Sequence, residues 1–275
     1  MSLFSLGGIN DFGARYYDKT VGRWWGVVLL AEKMRAWSSY SYCFRNPIKY
    51  KDIDGLYPIV TITKTVVGST TQRVIGYTGT TQYTKVNLYR AIITDTEDKN
   101  YRRTFAVTRD AFAVKKGDVK DGKMTMTNVA FEPKDGNVNH YTGKVMTNGY
   151  PEGNGTKALK LTQKGSEVVH AEANQASVDL GYRTKADVAS GVMIHVGGTY
   201  NHSDGSQSVA ASEGCFGFCQ GNNSSSNPSN QYSNSAIGDI IDRANNSETN
   251  PGKIEIVIEK RSKSERPITK TQPHQ

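Results

Sequence analysis

Apolar and polar positions alternate in short runs through most of the chain after Leu56. The run Ile59-Val-Thr-Ile-Thr-Lys-Thr-Val-Val67 is rich in β-branched residues, and Ile254, Ile256 and Ile258 place one apolar face along a second run. Period-two alternation of this kind is typical of half-buried strands. It predicts strands at 58–67, 84–94, 102–108, 123–131, 156–162, 191–196 and 253–259.

Helical spacing is much rarer. Ile237, Ile240, Ile241 and Ala244 stand at i, i+3, i+4 and i+7, which predicts a short amphipathic helix with Ser233 or Ser235 at its N-cap. A second helix is predicted at 166–180. The expected fold class is therefore mainly β with a few short helices, as a mostly antiparallel sheet with one or two helices packed on it.

The aromatic residues divide the chain. All three tryptophans (Trp24, Trp25 and Trp37) lie before Leu56, whereas the polar run 221–235 reads as a loop. The predicted organisation has four segments: an aromatic fragment at 1–56, a β-rich lead-in or linker at 57–100, a main domain at 101–261 and a flexible tail at 262–275.

Composition narrows the protein class. The chain has 275 residues, a net charge of +8 and three cysteines. An odd cysteine count in a chain of this length argues against a disulfide scaffold, and no apolar run approaches the ~20 residues of a membrane helix. The beginning of the chain lacks a basic segment followed by an apolar one, so no secretory signal is expected. The charge suits an acidic partner, such as nucleic acid, an anionic surface or a wall polymer.

The segment 1–56 carries a series of ordered motifs. These are Asp11-Phe-Gly-Ala-Arg-Tyr-Tyr-Asp18, Gly22-Arg-Trp24, Leu30-Ala-Glu32, Tyr40-Ser-Tyr42, Asn46-Pro47 and Asp52-Ile-Asp-Gly-Leu56. Together they resemble the RHS-repeat-associated core, which closes the shell of RHS/YD-repeat proteins ahead of variable C-terminal toxins. The resemblance implies a strand-rich fragment that lies against an RHS shell, followed by a toxin domain.

Two departures from that family concern its self-cleavage. Val28-Leu29 replaces the usual Asp-Pro, and Ile53 replaces the proline of Asp-Pro-Asp-Gly-Leu. In some relatives, carboxylates near this junction release the toxin. Here Asp52 and Asp54 either serve that reaction or simply form a turn before Gly55.

Residue types suited to catalysis are concentrated in two segments, Gly191-Val-Met-Ile-His195-Val-Gly-Gly198 and Ser212-Glu-Gly-Cys215-Phe-Gly-Phe-Cys219. A thiol needs a nearby base to form a thiolate at neutral pH, and histidine is the usual one. Gly214 would let backbone N–H groups approach an oxyanion beside Cys215. A histidine and a cysteine at this separation are also common as structural residues.

The spacing of these residues resembles the signature of YkuD-type L,D-transpeptidases, in which a His is followed after a short, nearly constant interval by Ser/Thr-His-Gly-Cys. The interval from His195 to Ser212-Glu-Gly-Cys215 fits that signature. The resemblance implies an L,D-transpeptidase-like β-rich catalytic domain with Cys215 as nucleophile and His195 as general base. It also places Gly214 at the oxyanion site and Ser212 in support of the cysteine turn. Glu213 replaces the second His, and Gly217 replaces a polar residue.

The two resemblances together imply an antibacterial effector. Its substrate would be peptidoglycan stem peptides, attacked through a cysteine acyl-enzyme without a metal or cofactor. The amine or water that resolves the acyl-enzyme would decide between transpeptidase, carboxypeptidase and exchange activity. A cognate immunity protein would be its partner, and it would be made in the cytoplasm and act in the periplasm or wall of a target cell.

Two other functions remain open. A zinc deaminase is suggested by His170-Ala-Glu172, which has the form of the His-x-Glu signature, with Cys215 and Cys219 as further ligands. Against it, the chain has Gly-Cys-x-x-x-Cys instead of Pro-Cys-x-x-Cys. A non-catalytic wall-binding module is the other alternative, with Glu213 as the sign of lost activity.

Overall fold

The computed structural model describes residues 9–11, 16–18, 20–21, 23–25, 57–76, 82–148, 156–201, 207–210, 215–219, 230–247 and 250–274. The chain forms two compact units, Met1–Leu56 with Glu248–Asn250 and Tyr57–Ser247 with Pro251–Gln275. In the smaller unit, the described part is an antiparallel sheet of β1 (Ile9–Asp11), β2 (Tyr16–Asp18) and β3 (Arg23–Trp24). Asp18 accepts hydrogen bonds from the Thr20 N–H and the Trp25 indole.

The larger unit is mainly β, as the sequence predicts. Its strands are β4 (Pro58–Gly76), β5 (Gln82–Asp95), β6 (Arg102–Thr108), β7 (Phe112–Val114), β8 (Val119–Lys120), β9 (Lys123–Asn128), β10 (Val138–Val145), β11 (Ala158–Thr162), β12 (Val168–His170), β13 (Val188–Ser190), β14 (Met193–Val196), β15 (Gly198–Asn201), β16 (Gln207–Ala210), β17 (Phe216–Cys219), β18 (Glu255–Glu259) and β19 (Thr269–Pro273). Its described helices are α1 (Gln175–Asp179) and α2 (Asn230–Asn245).

Eight of these strands form a closed sheet. Hydrogen bonding runs in the order β18-β10-β11-β14-β17-β6-β5-β4, and β4 then pairs with β18 to complete the ring. Most neighbours are antiparallel, but β14 with β17 and β4 with β18 are parallel pairs. Closure removes the exposed edges of these strands and leaves an inner face where apolar residues lose contact with water.

The main hydrophobic core fills this ring. Side chains on paired strands that share the inner face are almost wholly buried, among them Leu159, Ile194, Phe218 and Val107. The apolar stripe of α2, which includes Ile237 and Ile240, joins the same core. The apolar face predicted for the last isoleucine run is confirmed, because Ile254, Ile256 and Ile258 are all fully buried.

The segment 57–100 is an integral part of the sheet, which corrects its prediction as a lead-in. β4 and β5 lie side by side in the ring, with register shifts between Ile62 and Gly68. Beyond these shifts β4 continues to β7 and β16, and a second core of Val86, Phe112, Val114, Met124 and Met126 forms there. The strands predicted at 58–67 and 84–94 are present as β4 and β5, but Thr/Val alternation indicates a strand without indicating its partners.

The tail and the helices also differ from prediction. Residues 269–273 form β19 against β9, so this part of the tail predicted as flexible belongs to the sheet. Thr269 and Thr271 alternate along this segment, and threonine is favoured in β-strands. The segment can therefore form a strand where β9 leaves an open edge for pairing. The stretch 166–180 contains β12 and the short helix α1, because Asn174 caps a helix that begins only at Gln175.

The start of α2 is a further correction. The helix begins at Asn230 rather than at Ser233 or Ser235, and the Ser233 hydroxyl donates to the Phe218 carbonyl. That hydrogen bond fastens the helix to β17 instead of capping it. Within the described residues, the structure contains no helix of the length and apolar character needed to cross a membrane.

Candidate active site

His195 lies on β14 with small residues on both sides. Its register partners are Ala158 on β11 and Gly217 on β17, and paired residues of neighbouring strands share a face. The adjacent Ile194 and Val196 point into the core, so alternation turns His195 to the opposite face. Both register partners are small, and the imidazole is only 4% exposed.

The hydrogen bond of His195 fixes its tautomer. Nδ1 lies 2.7 Å from the Val196 carbonyl oxygen, which can only accept a hydrogen bond. Nδ1 therefore carries the proton and donates it, so Nε2 holds a lone pair in the neutral ring. Burial lowers the pKa of His195 below its ordinary value, although the Val196 carbonyl partly opposes this. The ring is therefore neutral at pH 7 and its Nε2 is able to accept a proton.

Cys215 immediately precedes β17 and is partly exposed. Its thiol donates to the carbonyl oxygen of Gly191 at 3.5 Å. Gly191 has φ +68°, a left-handed conformation that glycine adopts without strain, and it turns the chain from β13 into β14. The thiol thus contacts the turn that leads into the histidine strand.

The parallel register of β14 and β17 sets the distance between His195 and Cys215. His195 pairs with Gly217, and Cys215 is two residues before Gly217 along the neighbouring strand. With ~4.8 Å between strands and ~3.3 Å per residue, their Cα atoms are about 8 Å apart. Side chains converging from this separation can come within hydrogen-bond reach, which is the arrangement a thiol and its base require.

Gly217 has a structural reason to be glycine. A Cβ atom there would lie 2.8 Å from Thr108 Oγ1 and 3.3 Å from the Gly197 Cα. The Thr108 hydroxyl accepts a hydrogen bond from the Gly217 N–H at 3.1 Å. The position where the L,D-transpeptidase signature carries a polar side chain is therefore closed to one by Thr108.

The second thiol of this strand is in a different environment. Cys219 is fully buried, its Sγ lies 3.4 Å from the Gly217 carbonyl, and burial raises its pKa to about 12. A thiol with such a pKa is not a nucleophile at neutral pH. Ser212, Glu213 and Gly214 lie outside the described residues.

The residues suggested for zinc do not form a common site. His170 is exposed on β12, which pairs only with β13 in a separate two-stranded sheet. Cys219 faces the Gly217 carbonyl in the core of the larger sheet. Throughout the part of the chain that the structure describes, no three His, Cys, Asp or Glu side chains group as metal ligands.

A buried ionic cluster near the end of β6 is not predicted from the sequence. Glu132 accepts hydrogen bonds from Arg109 and from both the backbone N–H and the Nε–H of Arg261, and Arg261 also donates to Asp110. All four side chains are at most 2% exposed. Burial lowers the pKa of Arg109 to about 10, with Arg261 adding to the effect. The charged pair Arg109-Asp110 between two apolar strands was the signal for this cluster.

A cavity of about 240 Å³ lies beside this cluster. Glu132, Arg261, Glu172 and Arg266 are among the residues that line it. Arg266 forms ion pairs with both glutamates. The charges around the cavity are therefore largely paired with one another.

Comparisons with protein-family models, with curated proteins and with solved structures find no match for this chain.

Proposed function

We propose that the larger unit is a cysteine acyltransferase that acts on peptidoglycan stem peptides in the manner of L,D-transpeptidases. The observation that supports it best is that His195 lies on β14 and Cys215 immediately precedes the adjacent parallel strand β17, with Nε2 of a neutral imidazole able to accept a proton. The substrate class comes from the resemblance of the His195 and Cys215 segments to the YkuD-type signature.

The proposed chemistry proceeds in two stages. His195 Nε2 takes the thiol proton, and the Cys215 thiolate attacks the carbonyl carbon of the amide that links the stem peptide to its terminal residue. The tetrahedral adduct collapses as the C–N bond breaks, and the leaving amine receives the proton from His195. A thioester remains on Cys215. An amine or water then attacks the thioester and releases the thiol.

The resemblance assigns two further roles. The backbone at Gly214 and Cys215 would bind the oxyanion, and Ser212 would support the cysteine turn. Glu213 takes the place of a histidine and cannot donate a proton as an imidazolium does. We propose that it orients a catalytic group and alters the balance between transfer to an amine and transfer to water.

The motifs of residues 11–56 support a proposal for the biological role of this activity. Joined to an RHS core, such an acyltransferase would be an antibacterial effector acting on the wall of a target cell. It would require an immunity protein in the producing cell.

Detection of the thioester on Cys215 tests the proposed acyltransferase directly. The full chain is incubated with a synthetic stem tetrapeptide and examined by intact-mass spectrometry, next to Cys215→Ser and His195→Gln variants. We expect an adduct of acyl mass on Cys215 that is lost in Cys215→Ser and forms at least about 100-fold more slowly in His195→Gln. A folded protein that forms no adduct and releases no terminal residue would favour a non-catalytic wall-binding module.

A further inference from the structure

The Cys215 thiol shares a small pocket with an arginine. The pocket has a volume of about 30 Å³, and Cys215, Gly191, Tyr182 and Arg183 are among the residues that line it. This is room for a small polar group. The cysteine that the proposed function uses and a positively charged residue therefore border the same pocket.

Each hydrogen bond that Arg183 forms within the described residues goes to a backbone carbonyl. Nη1 donates to the carbonyls of Glu172 and Ala186, each at 3.2 Å, and Nη2 donates to that of Ala130 at 3.1 Å. These bonds orient the guanidinium group, which has five N–H donors, so two of them have no hydrogen-bond partner among the described residues. No carboxylate of the described residues forms an ion pair with Arg183, so its charge is not neutralised within that part of the chain.

A second arginine increases the positive potential. Burial lowers the pKa of Arg183, and the charge of Arg266 lowers it further. Both effects mean that the charged guanidinium lies where an added anion would stabilise it. Carboxylates are the usual partners of an arginine in such a place, because a planar guanidinium matches their geometry.

We propose that Arg183 binds a carboxylate of the acyl donor beside the carbonyl that Cys215 attacks. This inference deepens the proposed function and depends on it for the reaction at Cys215. In a stem peptide, the carboxylate nearest the scissile amide belongs to the terminal residue that leaves. Recognition of that group makes the enzyme act at chain ends, so it removes or exchanges one terminal residue and does not cut within a peptide.

Alkylation of Cys215 tests the carboxylate site without any substrate. Iodoacetate carries a carboxylate one carbon from its reacting centre, and iodoacetamide is its neutral counterpart. The rate of each with Cys215 is measured by peptide mass spectrometry in the full chain, in Arg183→Gln, in Arg183→Lys and in Arg102→Gln. Arg102 is a matched control because it is an exposed arginine at the start of β6.

We expect the ratio of the iodoacetate rate to the iodoacetamide rate to fall at least about tenfold in Arg183→Gln, as for loss of a charge-assisted hydrogen bond. Arg183→Lys should restore part of the ratio, and Arg102→Gln should leave it unchanged. The iodoacetamide rate reports whether the thiol and its surroundings remain intact. An unchanged ratio in Arg183→Gln, with an intact iodoacetamide rate, would overturn the inference.

Stem tetrapeptides with a free or an amidated terminal carboxyl separate this inference from the proposed function. We expect the wild-type kcat/KM to favour the free acid and Arg183→Gln to lose that preference while it still processes the amide. Equal use of both peptides by the wild-type protein would overturn the role of Arg183 and leave the acyltransferase standing. Processing of neither peptide would overturn the acyltransferase, while the alkylation ratio still decides on carboxylate binding.

Discussion

At the residue scale, the pairing of His195 with Cys215 as base and nucleophile is a prediction from the sequence. The structure places His195 on β14 and Cys215 immediately before the neighbouring strand β17. The tautomer of His195 could not be predicted, because it depends on a carbonyl whose direction is set by the strand. Gly217 looked like a departure from a motif, whereas the close Thr108 hydroxyl shows a packing reason for it.

The buried imidazole predicts a pH dependence of stability. The pKa of His195 is lowered in the folded chain relative to the ordinary value of 6.5, so the unfolded chain binds this proton more readily. The contribution of His195 is therefore fully present above pH 6.5 and is lost as the pH falls from 6.5 towards the folded pKa. Urea denaturation between pH 7.5 and 5 should show a steeper loss of unfolding free energy for the wild type than for His195→Gln. The same pH dependence of the unfolding free energy in the wild type and in His195→Gln would contradict this prediction.

The ionic cluster predicts a large effect of one neutral substitution. Glu132→Gln removes the negative charge that Arg109 and Arg261 share, and breaking a buried pair of this kind costs about 3–5 kcal/mol. Chemical denaturation measures the change. Glu167→Gln is the control: this exposed glutamate pairs with Lys144 and Lys160, and its loss should leave the unfolding midpoint nearly unchanged. Equal effects of the two substitutions would show that the cluster is not buried in solution.

At the element scale, strands were predicted well and their partners were not. The runs at 102–108 and 253–259 became β6 and β18 nearly as expected, because alternation is a local property. The tail was interpreted as flexible because charged and proline-containing sequence is typical of chain ends. β19 forms there only because β9 offers an open edge, and that edge is created by distant residues.

The pairing of β19 predicts an alternating pattern of amide protection. The Asn128 N–H donates to the Ile268 carbonyl and the His274 N–H donates to the Gly122 carbonyl, which places even-numbered residues in the hydrogen-bonded positions. Hydrogen exchange followed by NMR should therefore find slow amides at Lys270 and Gln272 and fast ones at Thr269 and Thr271. Rapid exchange at all four would instead support a flexible tail.

At the scale of the whole molecule, the sequence indicated the fold class but not the closure. β4 near the start of the larger unit pairs in parallel with β18 near its end, so Ile59 lies beside Glu255. Periodicity carries no information on such a distant pairing. The closed sheet holds β14 between β11 and β17, so the positions of His195 and Cys215 depend on residues from both ends of this unit.

The measurement that tests the central claim most directly is mass spectrometry of muropeptides. Purified peptidoglycan is incubated with the full chain, and with Cys215→Ala as the matched control. We expect loss of terminal D-alanine, or new crosslinks through diaminopimelate, only with the intact thiol. Unchanged muropeptides from a folded protein whose Cys215 still reacts with iodoacetamide would contradict the assignment of this site to peptidoglycan.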